Sequence, residues 1–225
     1  MKKSIRSFRK IKSSSIWDAE NIYHLKTDIS RISKLIYHYE IYKKIQDIPG
    51  DIVECGVFKG VSLTRFLTYR SILENNFSRK IIGFDAFGKF PKQKQKSDKN
   101  FIKKWESLAG DGISKSELNN ILLNKKFENY ELIEGDVFKT IPSFLKNNNT
   151  KKIALLHLDM DVYKPTKFVI NKLFNKMSKN GIILIDDYSE TVGATKAIDE
   201  FLKIKKSLKI KKLSYYKLPA YILIP

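Results

Sequence analysis

The sequence predicts an α/β fold with a doubly wound, mostly parallel sheet, and two observations support this prediction. From about residue 50, short apolar runs alternate with segments of helix length, which is the pattern of parallel strands joined by crossover helices. The last two of the seven runs, IKKLSYY and AYILIP, are joined by a short KLPA link. They predict an antiparallel hairpin at one edge, as mixed sheets often have.

The helices are predicted from their apolar spacing. Residues 28–50 form an amphipathic helix that a proline and a glycine terminate, and Tyr37, Tyr39 and Tyr42 could present a hydroxyl from it. Apolar residues at three- and four-residue spacing predict further helices over 62–73, 164–177 and 195–206. Residues 89–120 form an insertion between the second and third strands. Insertions of this length are usually functional, so we expect a lid.

A length of 225 residues suits one large α/β domain. We expect residues 51–225 to form it, while residues 1–50 add a basic arm and a helix that serve as a lid or as a contact in a homo-oligomer. No apolar run approaches the roughly 20 residues of a membrane helix. No apolar segment follows the basic start as a secretion signal requires, so a cytoplasmic location is expected.

Composition narrows the function classes. The single cysteine, Cys55, excludes an intrachain disulfide framework and a Cys-rich zinc site, and its apolar neighbours predict a buried thiol. The formal net charge is +19, which suits nucleic acid, an anionic membrane surface or anionic small substrates. Because the lysines are spread along the chain without an RNA-binding or helix-turn-helix signature, nucleic acid is the less favoured partner.

The segment ECGVFKG predicts a ligand-binding turn. Glu54 lies near the end of the first strand, and Gly56 and Gly60 flank the turn into the next helix. Glycines let the backbone approach a ligand closely. The E-x-G-x-x-x-G spacing differs from the G-x-G-x-x-G of dinucleotide-binding enzymes, and a purely structural turn is the alternative.

Two further strands close with acidic residues. Asp85 ends the second strand, where a carboxylate typically binds a ribose diol, and Asp136 follows the third. Open α/β sheets bind ligands at this carboxyl edge, so these residues together with Glu54 favour a nucleoside. Each one taken alone could instead be a helix cap or a surface carboxylate.

A second acidic group follows the fourth and fifth strands. Asp159 and Asp161 come after IALLHL, and Asp186 and Asp187 come after GIILI. If these strand ends are neighbours, the carboxylates repel each other unless a proton or a cation intervenes. Oxygen ligands suit Mg²⁺ or another hard divalent cation. The alternatives are a helix cap and a solvated loop, and His157 could act as a base, support the ligands or simply pack; His24 and His38 are less favoured as bases.

Five ordered blocks carry a family resemblance. They are VECGVFKGVS, GFDAFGKFP, EGDVF, HLDMDVYKPT and GIILIDDYSETVGATKAIDEF, within residues 50–201. They resemble the macrocin O-methyltransferase family, S-adenosylmethionine-dependent enzymes that methylate sugar hydroxyls with Mg²⁺. The resemblance implies a class I methyltransferase fold, a Rossmann-like sheet.

The resemblance also implies roles for individual residues. The expected cofactor-binding residues are Glu54, Gly56, Phe58, Gly60, Ser62, Asp85, Ala86, Phe87, Gly135, Asp136, Val137 and Asp159. Within this set, Glu54 and the two glycines line the methionine end, Asp85 holds the ribose, and Asp136 with Val137 lies beside the adenine. The expected metal ligands are Asp159, Asp186 and Asp187, with Asp159 also the catalytic base. Residues expected to support the ligands or to contact substrate are Asp161, His157, Tyr163 and Tyr188.

The predicted activity is methyl transfer from S-adenosylmethionine to a sugar hydroxyl, on a nucleotide sugar, a glycan or a glycosylated natural product. By analogy with the family, a surface-polysaccharide or natural-product pathway is expected. Two alternatives remain open: a nucleic-acid methyltransferase, and a non-catalytic module that binds sugar nucleotides. A sugar dehydrogenase is disfavoured because the glycine spacing differs and no Tyr-x-x-x-Lys sequence is present.

Overall fold

A computed structural model of the protein describes residues 15–91 and 96–225. The predicted basic arm over residues 1–14 and residues 92–95 of the predicted insertion lie outside the described residues. Within the described ranges, no helix is both long and apolar enough to cross a membrane.

Seven strands form one sheet in the order β3-β2-β1-β4-β5-β7-β6. The strands are β1 (Asp51–Cys55), β2 (Ile81–Asp85), β3 (Tyr130–Glu134), β4 (Ile153–Leu158), β5 (Met177–Ile185), β6 (Ile210–Lys211) and β7 (Ala220–Leu223). The first five strands are parallel, and β7 runs antiparallel to both β5 and β6. The predicted doubly wound sheet with an antiparallel edge is therefore confirmed.

The edge hairpin is looser than predicted. Strand β6 contains only two residues, and residues 212–219 connect it to β7, so the connection is longer than the KLPA link. Beyond Lys211 the backbone leaves the ladder because the Leu213 N–H donates to the Tyr37 hydroxyl (3.0 Å). A short edge strand ending in lysine also disfavours pairing with other chains.

The described residues form eight α-helices, six of which pack on the two faces of the sheet. They are α1 (Ile16–Lys26), α2 (Ile29–Lys43), α3 (Val61–Leu73), α4 (Lys96–Ala109), α5 (Lys115–Asn124), α6 (Val137–Asn147), α7 (Tyr163–Leu173) and α8 (Val192–Ile204). Apolar side chains of α2, α3 and α5 pack on one face of the sheet, and those of α6, α7 and α8 on the other. The helix predicted over 28–50 ends at Lys43, before the proline.

Helix α2 is a core element, and this corrects the role suggested for its tyrosines. Tyr37 and Tyr42 are fully buried. The Tyr42 hydroxyl donates to Glu74, and the Tyr39 ring packs on Tyr69 with centroids 5.6 Å apart. The hydroxyls of Tyr37 and Tyr42 are thus engaged in the core, with Leu213 and Glu74, and Tyr39 is partly buried against the same cluster.

The predicted insertion folds into α4 and α5. Asp98, near the start of α4, accepts a hydrogen bond from the Tyr163 backbone N–H (3.2 Å). That N–H begins α7, whose N-cap residue Val162 provides no side-chain cap. Because Asp98 supplies the missing acceptor, α4 is held against the end of the sheet where β4 terminates. The lid function of this segment stays a prediction.

Candidate active site

The two acidic segments lie side by side at the carboxyl edge of the sheet. Strands β4 and β5 are adjacent and parallel, and Leu158 pairs with Ile185. The Asp186 N–H donates to the Leu158 carbonyl (3.0 Å). Because both chains leave the sheet at this level, the aspartates that follow β4 meet those that follow β5, as predicted.

Three carboxylates converge there. Oxygens of Asp159, Asp161 and Asp187 lie within 4.8 Å of one another. Burial and the charge of Asp186 raise the pKa of Asp159 and of Asp187 well above the usual range. Burial and the charge of Asp159 raise the pKa of Asp161 to about 7. Carboxylates gathered this closely require protons or a cation.

The ammonium group of a lysine lies beside this acidic centre. Lys34 of α2 forms an ion pair with Asp186. Burial alone would lower the pKa of Lys34, but the charges of Asp186, Asp159 and Asp187 raise it above its usual range. The sequence did not reveal this role because the chain has 43 basic residues. The available signal was its position one turn before His38 on the inward face of α2.

A buried chain of polar groups runs from β1 to β5. The His157 Nδ1 lies 3.2 Å from Glu54 Oε1, and its Nε2 lies 3.4 Å from Asp186 Oδ1. Burial alone would lower the pKa of His157, but these two contacts raise it to about 10. Burial would raise the pKa of Asp186, yet Lys34 and His157 hold it well below its usual range. With both ring nitrogens facing carboxylates, His157 is not placed as a free base.

His38 lies beside these polar groups but forms no hydrogen bond with them. Its Nε2 is 3.8 Å from Asp186 Oδ1, and neither ring nitrogen has a hydrogen-bond partner among the described residues. Burial lowers the pKa of His38 to about 3. The ring is therefore neutral and stacks on Phe66, with centroids 5.2 Å apart.

The glycine turn touches the acidic centre directly. A Cβ on Gly56 would lie 1.8 Å from the Asp159 carbonyl oxygen, and the Gly56 φ is +94°. Gly60, at φ +78°, is the N-cap residue of α3. Only glycine permits this approach together with this backbone conformation. The turn predicted at these positions thus brings the end of β1 against the end of β4.

Glu54 lies fully buried beneath this turn. Its Oε1 accepts from the Ser62 hydroxyl and faces His157. Its Oε2 is buried without a hydrogen-bond partner among the described residues. A buried, unpaired carboxylate oxygen is costly, so the site suits a ligand that donates a hydrogen bond.

Asp85 has a backbone role that the sequence did not indicate. Its Oδ2 accepts from the N–H groups of Val57 (2.7 Å) and Phe58 (3.0 Å). Its Oδ1 accepts from the Phe87 N–H (2.6 Å). Asp85 therefore ties the glycine turn to the loop after β2, and its proposed contact with ribose stays a prediction.

Asp136 caps a helix, which was one of its two interpretations. Its side chain accepts from the Phe138 N–H at the start of α6 (3.0 Å), and the adjacent Gly135 N–H donates to the Asp85 carbonyl (2.9 Å). Ala86 lies half-buried in the loop after β2, and Val137 is the half-buried first residue of α6. The expected contact with adenine stays a prediction.

The remaining predicted residues lie around this edge. The Phe58 ring packs on Trp105 of α4, with centroids 5.7 Å apart, so the insertion covers the glycine turn. The Tyr163 hydroxyl donates to Glu200 (2.6 Å), and the Tyr188 hydroxyl donates to Asp199 (2.7 Å). Both tyrosines are thus bound to α8, and their contact with substrate stays a prediction. Cys55 is fully buried, as expected.

The arrangement of a glycine turn, strand-end carboxylates and an acidic centre agrees with a family comparison. The family model described as Macrocin-O-methyltransferase (TylF) matches residues 26–212. The chain belongs to the macrocin O-methyltransferase family. The family match includes α2 and therefore Lys34, beyond the blocks quoted from the sequence.

Curated relatives of this macrocin O-methyltransferase family member are distant. The 8-demethyl-8-(2,3-dimethoxy-alpha-L-rhamnosyl)-tetracenomycin-C 4'-O-methyltransferase of Streptomyces olivaceus is 26% identical over 76% of this chain and 65% of the relative. Demethyldecarbamoylnovobiocin O-methyltransferase of Streptomyces niveus is 26% identical over 69% of this chain and 59% of the relative. Mycinamicin III 3''-O-methyltransferase of Micromonospora griseorubida is 25% identical over 76% and 67%. The chain thus spans about two thirds or less of the length of these relatives.

Solved structures show the same fold. The calicheamicin methyltransferase CalS11 superposes with a TM-score of 0.70 at 24% identity, over 95% of this chain and 86% of that one. The O-methyltransferase NovP gives a TM-score of 0.70 at 20% identity, over 86% and 80%. The predicted class I methyltransferase fold is confirmed.

Proposed function

We propose that this protein is an S-adenosylmethionine-dependent O-methyltransferase that acts, with a hard divalent cation, on a hydroxyl of a small sugar-containing substrate. One observation carries the proposal: the glycine turn that suits a cofactor touches the backbone of Asp159, in the acidic centre that suits a cation. Family membership supports the activity. The activities for which the relatives are named include a methylation on a rhamnosyl-bearing compound. They support a sugar or a glycosylated natural product as substrate.

The residues present fit the cofactor. S-adenosylmethionine carries an ammonium group, and Glu54 Oε2 offers a buried acceptor without a partner among the described residues. Gly56 and Gly60 leave the turn free of side chains, so a ligand can approach the backbone. Asp85 holds the two loops at this edge in place and is proposed to accept from the ribose hydroxyls with its remaining lone pairs.

The residues also fit a hard cation. We propose that Asp159, Asp186 and Asp187 hold it. Oxygens of Asp159 and Asp187 lie within 4.8 Å of each other, and Asp186, which the geometry groups instead with His38 and His157, forms an ion pair with Lys34 that a cation would replace. Asp161 is proposed to support the group, because its carboxylate oxygen lies within 4.8 Å of those of Asp159 and Asp187. Oxygen ligands of this kind suit Mg²⁺, and cation binding would displace protons from the carboxyl groups whose pKa is raised.

When bound, S-adenosylmethionine supplies the methyl group and the cation lowers the pKa of the sugar hydroxyl. Once a bound cation has displaced the proton of the Asp159 carboxyl group, Asp159 would accept the proton of that hydroxyl. Its backbone contact with Gly56 keeps this carboxylate beside the cofactor turn. Trp105 and Phe58 restrict water on the side of the insertion.

Calorimetry tests the proposal. S-adenosylhomocysteine is titrated into the full chain, with NAD as a parallel control, and methyl transfer from labelled S-adenosylmethionine to a panel of nucleotide sugars is then measured with and without Mg²⁺. We expect binding of the first ligand only and cation-dependent transfer. Absence of S-adenosylhomocysteine binding would overturn the methyltransferase assignment. Binding without transfer to any sugar would favour the non-catalytic module.

A further inference from the structure

His157 lies at the centre of three adjacent strands. It pairs with Glu54 of β1 on one side and with Leu184 of β5 on the other. Asp186 is two residues beyond Leu184, and side chains two residues apart along a strand share a face. The sheet register therefore places Glu54, His157 and Asp186 in a row on one face.

The His157 ring makes both contacts along this row. Its Nδ1 lies 3.2 Å from Glu54 Oε1, and its Nε2 lies 3.4 Å from Asp186 Oδ1. One ring nitrogen faces each carboxylate, so the imidazole bridges the two acidic residues.

The surroundings of His157 fix the ring and keep it dry. All three members of the row are at most 4% exposed. The His38 and Phe66 rings pack against the His157 ring at centroid distances of 5.3 and 5.6 Å. Because the row is buried, water cannot replace either contact of the His157 ring.

The two ends of the row belong to different halves of the site. Glu54 is bound by Ser62 and keeps one oxygen without a partner among the described residues, on the cofactor side. Asp186 is bound by Lys34 on the cation side. We propose, resting on the function proposed above, that His157 is a positioning residue that holds Glu54 for the cofactor and Asp186 for the cation at the same time.

The replacement His157→Gln tests this role. A glutamine amide has its donor on one side only, so it cannot contact both carboxylates as the imidazole does. Glu54 and Asp186 would then no longer be held by one shared side chain. Loss of a hydrogen-bonding partner behind a ligand residue typically costs 10- to 100-fold in affinity. We expect calorimetry to show a loss of about tenfold or more for S-adenosylhomocysteine and, separately, for Mn²⁺.

Two matched variants separate positioning from general damage. Ser62→Ala removes a contact of Glu54 alone, so the affinity for S-adenosylhomocysteine should fall while that for Mn²⁺ stays within about twofold. Lys34→Met removes the cation that competes at Asp186, so the affinity for Mn²⁺ should rise while that for S-adenosylhomocysteine stays within about twofold. Only His157→Gln should weaken both.

A His157→Gln protein that loses affinity for one ligand or for neither overturns the positioning role. If the natural chain binds S-adenosylhomocysteine but no Mn²⁺, this inference fails while the methyltransferase assignment stands. If it binds no S-adenosylhomocysteine, the proposed function itself fails, and this inference fails with it.

A measurement on the natural chain covers the case in which His157→Gln does not fold. The chain has three histidines, so ¹⁵N resonances of their rings can be assigned individually. We expect the ring resonances of His157 to shift on addition of S-adenosylhomocysteine alone and of Mg²⁺ alone, because the ring touches a residue on each side. A His157 ring whose resonances do not respond to one of the two ligands overturns the proposal.

Discussion

The carboxyl edge of the sheet has two halves that use the same residue type in opposite electrostatic settings. At the ends of β2 and β3, Asp85 and Asp136 accept hydrogen bonds from backbone N–H groups. At the ends of β4 and β5, the oxygens of Asp159 and Asp187 meet those of Asp161. The first half satisfies its charges within the fold, whereas the second gathers charges that repel one another.

This difference indicates that the first half holds the loops in place, whereas the second half suits catalysis. A carboxylate that accepts backbone N–H groups fixes the loop around it. Carboxylates that face each other favour protonation or a bound cation, and a cation that displaces the proton leaves a carboxylate able to accept one from a substrate. We therefore expect substitutions in the first half to reduce stability and cofactor affinity, and those in the second to remove catalysis.

The largest expected effect comes from Asp159→Asn. The amide cannot accept the proton of the sugar hydroxyl, so the rate of methyl transfer should fall by about 10²- to 10⁴-fold. The affinity for S-adenosylhomocysteine should stay within about twofold, because the Asp159 backbone keeps its contact with Gly56. Single-turnover assays and calorimetry measure the two quantities. Asp47→Asn, at an exposed site, is the control, and equal rates for the two variants would contradict the role of Asp159.

Gly56→Ala disrupts the contact between the glycine turn and the backbone of Asp159. Its Cβ would lie 1.8 Å from the Asp159 carbonyl oxygen, so the backbone must move. We expect the free energy of unfolding to fall by roughly 3 kcal/mol from strain and lost packing together. Gly110→Ala is the matched control, since Gly110 has a φ of +73° but no heavy atom within 4 Å of its added Cβ. It should cost only about 1 to 2 kcal/mol in urea unfolding, and equal losses would show that the contact with Asp159 is unimportant.

Asp85→Asn tests the half that shapes the loops. One asparagine oxygen cannot replace two carboxylate oxygens that accept three backbone N–H groups, so at least one donor meets an NH₂ group. We expect a loss of about 1 to 3 kcal/mol in the free energy of unfolding and weaker binding of S-adenosylhomocysteine. An unchanged unfolding midpoint would indicate that these hydrogen bonds do not hold the loops.

Asp136→Ala should have the smallest effect of the four. It removes the side-chain cap of α6, which is worth about 1 kcal/mol. Asp136→Ser retains a capping oxygen and should stay within a few tenths of a kcal/mol of the natural chain. If both variants lowered the affinity for S-adenosylhomocysteine equally without changing stability, Asp136 would act on the cofactor and not as a cap.

The sequence predicted what periodicity and strand ends encode. The alternating runs predicted a doubly wound sheet in which the ends of β4 and β5 could be neighbours, and the observed strand order makes them so. It did not predict that β6 would be so short, because the Tyr37 hydroxyl that binds Leu213 comes from a residue distant in the sequence.

Side-chain direction explains what the sequence missed at the site. Lys34 resembles every other lysine until the helix is packed and its inward face is known. His157 was considered as a base, a support or a packed residue, and only the sheet register places it between two carboxylates. Asp85 was recognised by position, but its three backbone donors depend on loop conformations that no local pattern specifies.

Anomalous diffraction from a crystal grown with Mn²⁺ and S-adenosylhomocysteine tests the division of this edge most directly. We expect a manganese peak among Asp159, Asp186 and Asp187, with Lys34 displaced from Asp186. We also expect S-adenosylhomocysteine over Gly56 and Gly60, with its ammonium group on Glu54. A manganese peak elsewhere, or S-adenosylhomocysteine bound away from the glycine turn, would contradict it.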